Sequence, residues 1–456
     1  MVKNIPVEKN KIYKVNITSV ASKGEGVGKI NDFTVFVPGA MYGEEVEIII
    51  EKVSKTYAIG KLNKIIKKSE ERTNPMCSLY ENCGGCQIQH MNYKGQLDFK
   101  KKKVQDAISR IGKMELKVED VIGMDNPTRY RNKVQLPIGE ENGKIKVGFY
   151  EPRSHNIIDL SSCYIQDEVA DKIIYIVRCW LQKYNIDVYK EKLHRGTIRH
   201  IMIRKAFKTG DIMVVIVTNG KDIPHKKELI KDLVSNIKGL KGVIQNINDK
   251  QTNVVLGQKS ITLWGKDTIV DYIGEFRFNI SPLSFFQVNP IQTEVLYNKA
   301  LEYAELKEND TVFDIYCGIG TISLFLAQKA KKVYGIEIVE DAIKDAKINA
   351  NLNNLDNVEF YVGKAEEVVP KMYKEGKTAN VVVVDPPRKG CDEKVLDTIV
   401  SMKPDRVVYV SCNPSTLARD LAYLDERGYK CLEVQPVDMF PHTMHVESVA
   451  KLEKIK

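Results

Sequence analysis

Apolar and polar residues alternate along the first part of the chain. KIYKVNITSV, FTVFVPG, EEVEIIIEKV and YAIGKLNKII place apolar side chains at every second position, the period of a half-buried strand, and GEGVG and PGAMYGE separate them as glycine-rich turns. Several short strands in succession leave unpaired edges, which closing the sheet removes. Residues 1–66 are therefore predicted to form a small OB-like β-barrel.

Residues 67–282 mix the two periods. A cysteine-rich stretch precedes the basic amphipathic segment YKGQLDFKKKKVQDAISRIGKM. Short strands follow at KVQLPI and KIKVGFY, then a helical stretch at EVADKIIYIVRCWLQKY, and IRHIMIRKAF and DIMVVIVTNG look like paired strands. This is an α+β pattern. Residues 283–456 alternate strand and helix, with strands at TVFDIYC, KVYGIEI, VEFYVG, NVVVVDPP and RVVYVSC and helices at TISLFLAQKA and DAIKDAKINANLNN. That order predicts an α/β unit with a parallel, doubly wound, Rossmann-like sheet. YKCLEVQPVDMF and HVESVAKLEK break the alternation and are predicted to pair antiparallel at one edge.

Composition changes this picture in three places. The 69 basic and 60 acidic residues leave a net charge of +9, which permits a polyanionic partner; Lys100–Lys103 and Lys64 with Lys67 and Lys68 sharpen that hint, although solvated faces explain such runs equally well. No apolar run is long enough for a bilayer, and MVKNIPVEKNK lacks the apolar core of a signal peptide, so a cytoplasmic protein without membrane contact is expected. In that compartment the nine cysteines point to metal, cluster or catalytic roles rather than disulfides.

The chemistry concentrates at predicted strand ends. In Asp314-Ile-Tyr-Cys-Gly-Ile-Gly320, Gly318 and Gly320 allow a tight turn and close approach of a ligand to a helix start. A dinucleotide turn needs a third glycine where Ser323 stands, and Glu337 ends the next strand, placed to accept ribose hydroxyls. The combination favours S-adenosylmethionine over NAD. Asp385-Pro-Pro-Arg388 follows the fourth strand, its prolines fixing the direction of Asp385. At the end of the fifth strand lies Cys412, in Ser-Cys-Asn-Pro414. A thiol beside a methyl donor suits covalent activation of an electron-poor carbon such as C5 of uracil: the thiolate adds to C6, C5 takes the methyl group, and a base removes the C5 proton. Glu447 in His445-Val-Glu447 is the candidate base, with His442 and His445 as alternatives. A core cysteine is the plainer reading of Cys412 alone.

Cys77, Cys83 and Cys86 need a fourth ligand, for which Cys163 is the best candidate, and their spacing suits zinc or an iron–sulfur cluster. Cys179, Cys317, Cys391 and Cys431 read as packing residues. A uracil in structured RNA must be flipped out to reach Cys412, and Phe285, Phe286 and Tyr316 are candidates to stack on it or on the adenine.

At SCNP, DPPR, HVE and SPLSFFQVNP the chain resembles the RNA (uracil-5-)-methyltransferases, and the N-terminal segment with GEGVG and VFVPGAMYGEEV resembles the TRAM domain of the bacterial ribosomal RNA members. YRNKVQLPI and HRGTIRHIMIR extend the likeness through the middle; Tyr316 stands where some members carry Phe. The resemblance implies a class I S-adenosylmethionine methyltransferase with Cys412 as nucleophile, Glu447 as base, and Gln287, Tyr316, Glu337 and Asp385 at the methyl donor. It implies a [4Fe-4S] cluster on Cys77, Cys83, Cys86 and Cys163, and a flipped uridine of 23S ribosomal RNA as substrate. A monomer is expected.

Overall fold

The computed structural model describes residues 5–455. Strands β1 (Ile12–Val20), β2 (Gly26–Ile30), β3 (Phe33–Val37), β4 (Glu45–Val53) and β5 (Tyr57–Lys67) close into a barrel in the order β1-β2-β3-β5-β4. The alternating residues Val15, Ile17, Val35, Val37, Val46, Ile48 and Ile50 fill it. GEGVG, expected as a turn, supplies the start of β2 instead. Its glycines are there for close approach: a Cβ on Gly28 would stand 2.6 Å from the Asn16 carbonyl oxygen, and one on Gly26 2.8 Å from that of Ala40. Below the barrel, buried Glu44 accepts from Arg72 Nη2 at 2.8 Å and the Met41 amide at 2.9 Å. Met41, Ile88, Met91 and Phe99, with Met444 packed on them, form an apolar node joining the barrel to the rest of the molecule.

Helix α1 (Tyr93–Arg110) starts at Asn92, whose side chain accepts from the Gly95 amide at 2.8 Å. It carries the lysine run, and the structure corrects the reading of that run as an exposed patch. Lys100 is fully buried, pairs with equally buried Asp438 and donates to the Phe440 carbonyl at 2.9 Å. Lys103 donates to the Met444 carbonyl at 2.8 Å. Tyr93 Oη also donates to Asp438, at 2.9 Å. Lys100→Met strands the Asp438 charge and is expected to cost about 3–5 kcal/mol in urea unfolding, much of it recovered by adding Asp438→Leu. An unchanged midpoint for the single variant would show that the pair does not hold this segment.

Strands β6 (Lys133–Glu141), β7 (Lys144–Tyr150) and β8 (Ile157–Asp159) precede α2 (Glu168–Lys183); β9 (Ile198–Lys205), β10 (Ile212–Thr218), α3 (Lys226–Asn236), β11 (Leu240–Ile247) and β12 (Lys259–Gly265) follow. The sheet order is β12-β11-β10-β9-β6-β7-β8, with β9 and β10 paired as expected, in antiparallel sense. Ile173, Val177 and Trp180 of α2 and Leu229 and Leu233 of α3 cover one face. Met202, Met213, Val215 and Ile244 on the other face share a core with the following unit. The hairpin β13 (Ile269–Ile273) and β14 (Phe276–Ile280) packs into that same core.

The last unit runs α4 (Pro290–Ala304), β15 (Thr311–Ile315), α5 (Thr321–Ala327), β16 (Lys332–Glu337), α6 (Glu340–Leu352), β17 (Val358–Val362), α7 (Ala365–Lys374), β18 (Val381–Val384), α8 (Glu393–Met402), β19 (Arg406–Ser411), α9 (Pro414–Asp425), β20 (Tyr429–Val437) and β21 (Glu447–Lys454). The order β17-β16-β15-β18-β19-β21-β20 reverses direction between β15 and β18, where doubly wound sheets open a ligand crevice. The predicted antiparallel pair is present: β21 lies between β19 and the edge strand β20, antiparallel to both. Among the described residues no helix is long and apolar enough to cross a membrane.

Candidate active site

The chain leaves β15 through a turn that exposes backbone to a cleft. The Tyr316 and Cys317 amides donate to the Ile336 carbonyl at 2.9 and 3.0 Å, while Tyr316 takes a φ of 71°, a left-handed conformation that a tyrosine adopts only under constraint. A Cβ on Gly318 would meet nothing within 4 Å, whereas one on Gly320 would lie 2.9 Å from the Phe360 ring. Gly318 thus leaves room on the cleft side, and Gly320 lets α5 pack. Glu337, at the end of β16, accepts from the Gly318 amide at 3.2 Å and the Val339 amide at 2.9 Å, which locks its carboxylate beside the glycine turn. Ser323, standing where a dinucleotide turn carries glycine, donates to Asp314. The other Asp314 oxygen is buried without a partner, and burial pushes this carboxyl up to about 7.

The loops after β18 and β19 are tied together. The Arg388 carbonyl accepts from Asn413 Nδ2 at 2.9 Å and Thr416 Oγ1 at 3.3 Å. Asn413 also caps α9, accepting from the Ser415 amide at 3.1 Å, and Pro414 occupies its first turn. The turn that carries the thiol is therefore a helix start pinned to the Asp385 loop. The β19–β21 ladder ends where Ser411 faces Ser448, so Cys412, one residue on, and Glu447, one residue before, lie at the same end of the pair, and both line one cleft.

Electrostatics reflect that crowding. Glu447 is buried, and burial first, then Asp385, pushes its carboxyl up to about 8. Burial, followed by Glu447 and Asp385, pushes the Cys412 thiol up to about 11. Arg388 opposes both shifts and is the cation shared by the two groups. Asp385 itself is pushed up to about 7 by burial and by Asp314.

Gln287, Tyr316, Glu337, Asp385, Cys412 and Glu447 all line this one cleft. His445 lines it too, its ring edge-on to Phe440. His442 does not: it is buried, its amide donates to Gln96 Oε1 at 2.9 Å, and its carbonyl accepts from the Gln87 and Ile88 amides at 3.1 Å. The two phenylalanines separate as well. Phe285 is 63% exposed at the cleft, whereas Phe286 is buried against Phe278 and is unable to stack on a ligand. The sequence left Arg388 and Asp314 without roles and did not single out Arg131, a cleft-lining cation whose only signal was its place in YRNKVQLPI.

Cys77, Cys83, Cys86 and Cys163 meet around a separate small cavity walled by Tyr80, Phe149, Leu160 and Ile165. The Gly85 amide points at Cys83 Sγ, 3.4 Å away, and Cys86 is pushed up to about 12, chiefly by burial and then by the other three cysteines. Among the described residues no three or more Cys, His, Asp or Glu side chains are grouped so as to hold a metal ion. Gly84, Gly85 and Gln87 of this loop reach the main cleft. Cys317, Cys391 and Cys431 are buried as expected of packing residues; Cys179 is exposed and corrects that reading.

The family model for tRNA (uracil-5-)-methyltransferases matches residues 92–455, and that for the TRAM domain matches residues 6–62. A Clostridium tetani protein carrying the name uncharacterized RNA methyltransferase is 61% identical over 449 residues, covering 98% of both chains. One from Clostridium acetobutylicum with the same name is 57% identical over 458 residues, covering 100% of both. Among solved structures, Pyrococcus abyssi tRNA (uracil-54, C5)-methyltransferase in complex with S-adenosyl-L-homocysteine superposes with a TM-score of 0.79 at 30% identity, over 96% of this chain and 99% of that one.

Proposed function

We propose that this chain, which belongs to the tRNA (uracil-5-)-methyltransferase family, methylates C5 of a flipped uridine in 23S ribosomal RNA. The placing of Cys412 and Glu447 at the same end of the β19–β21 ladder, in the cleft that also holds the Gly318 turn, is the observation that carries this reading. S-adenosylmethionine supplies the methyl group when bound; Tyr316, Glu337, Asp385 and Gln287 are the residues to hold it, with Glu337 taking the ribose hydroxyls. Cys412 Sγ adds to C6 of uracil and the C5–C6 π electrons move toward the ring carbonyl. C5 then forms its bond to the methyl carbon as the bond from that carbon to the donor sulfur breaks, leaving S-adenosylhomocysteine. Glu447 takes the C5 proton, the C5–C6 double bond re-forms, and the C6–S bond breaks to release the thiolate. Arg388 steadies the thiolate as it forms and departs.

Four thiols meeting around one small cavity with an apolar wall support the reading of this site as the seat of a [4Fe-4S] cluster. Such a cluster holds its loop in shape beside the cleft and takes no part in methyl transfer. Anaerobic purification should yield about four irons per chain; zinc in their place would remove the cluster from this account.

Transfer RNA is the second reading, favoured by the likeness to the Pyrococcus abyssi enzyme. The experiment offers 5-fluorouridine-substituted 23S fragments and transfer RNA separately with S-adenosylmethionine. Fluorine at C5 does not leave as a proton does, so a denaturation-resistant adduct with the ribosomal fragment alone is expected. An adduct with transfer RNA alone would reassign the substrate.

A further inference from the structure

One face of the central sheet changes character along its width. Residues paired across strands share a face, and the row Lys133–Arg204–Met213 runs over β6, β9 and β10 beside Gln135–Met202–Val215. Met202, Met213 and Val215 are buried against the last unit. Toward β6 the same face becomes cationic: Arg131, two residues before Lys133, lines the cleft, and Arg204 Nη2 donates to the carbonyl of Ser284, another cleft residue, at 2.9 Å. Arg204 is only 2% exposed and its Nε is buried without a partner.

These cations lack counter-charges. Neighbouring Arg129 and Lys205 pair with Asp171 and Asp167, but among the described residues no carboxylate partners Arg131, Lys133 or Arg204. Asp345 is engaged elsewhere, accepting from the Ser284 hydroxyl at 2.6 Å. Burial and then Arg204 and Arg131 hold Lys133 down at about 7, and burial holds Arg204 down at about 10. Unpaired charge held away from water is costly, and Arg131 at the cleft wall, with half-buried Lys133 and buried Arg204 on the same sheet face behind it, marks a place where an anion completes the set.

We infer that Arg131 and Lys133, with buried Arg204 behind them, form a seat for an RNA phosphodiester, gripping the backbone next to the extruded uridine. The inference rests on the RNA reading of the cleft. It gives the base-flipping step a fixed point: with one phosphate held, the nucleotide rotates about it into the site.

Lys133→Met in the full-length protein separates the possibilities, with Lys133→Arg as the rescue. Removing an unpaired buried charge should raise the melting temperature while RNA affinity falls, opposite movements that a merely structural lysine does not produce. With the 23S fragment, affinity at fixed salt should drop roughly tenfold and the slope of log affinity against log salt should shrink by about 0.7–0.9, the value of one lost phosphate contact. Lys133→Arg should restore both. Affinity for S-adenosylhomocysteine should be unchanged; a parallel drop would assign the seat to the cofactor's carboxylate and overturn the proposal. Equal salt slopes for wild type and Lys133→Met would overturn it too. Wild-type protein that fails to bind the RNA, yet shows the melting-temperature rise in Lys133→Met, would sink the RNA reading while leaving an anion seat of another kind.

Discussion

Cys412→Ala is expected to reduce methyl transfer by 10⁴-fold or more, on the order of what loss of a covalent nucleophile costs elsewhere. No substitute thiol lies within the cleft at that position: Cys317 is the other cysteine lining it, is buried, and belongs to the glycine turn. Binding of S-adenosylhomocysteine, measured by calorimetry, should stay at the wild-type level, because the residues assigned to the cofactor stand on other strand ends. The fluorouridine adduct should vanish with the activity. Turnover within tenfold of wild type would mean that C5 is methylated without covalent activation, and the register argument would then describe only packing.

Glu447→Gln is expected to behave differently, and that difference is its test. Addition of the thiol and methylation of C5 precede proton removal, so the amide variant should stall after them. Turnover should fall by about 10²–10⁴, while ordinary, unfluorinated RNA accumulates as a methylated adduct visible on a denaturing gel. The pH profile supplies the sign. A carboxyl pushed up to about 8 is protonated at lower pH and unable to accept a proton, so the wild-type rate should climb from pH 6 toward 8. Raising pH also favours the Cys412 thiolate, pushed up to about 11, so some rise should persist above 8. If His445→Gln trapped the adduct and Glu447→Gln did not, the base would have to be reassigned to the histidine that also lines the cleft.

Strand ends were legible in the sequence because their signals are local. Gly318, Glu337, Asp385 and Cys412 each follow a short apolar run, and a parallel sheet gathers such positions along one edge. Features that depend on distant partners were hidden. Lys100 sits in a run of four lysines and reads as solvated, because nothing nearby reveals Asp438, 338 residues away in the chain. Phe285 and Phe286 are indistinguishable by type, and only the packing of Phe286 on Phe278 sends one inward. The missing counter-charges around Lys133 are likewise a property of three dimensions. A sequence shows which charges exist, not which of them remain alone.

The position of β21 has a consequence for synthesis. This strand is made after both β19 and β20, yet it lies between them. Until it emerges from the ribosome and inserts, β19 keeps an open edge beside Cys412 and the cleft has no Glu447. On the proposed roles, a nascent chain that holds Cys412 and the Gly318 turn is still unable to finish a turnover. Completion of the sheet and completion of the enzyme are the same event.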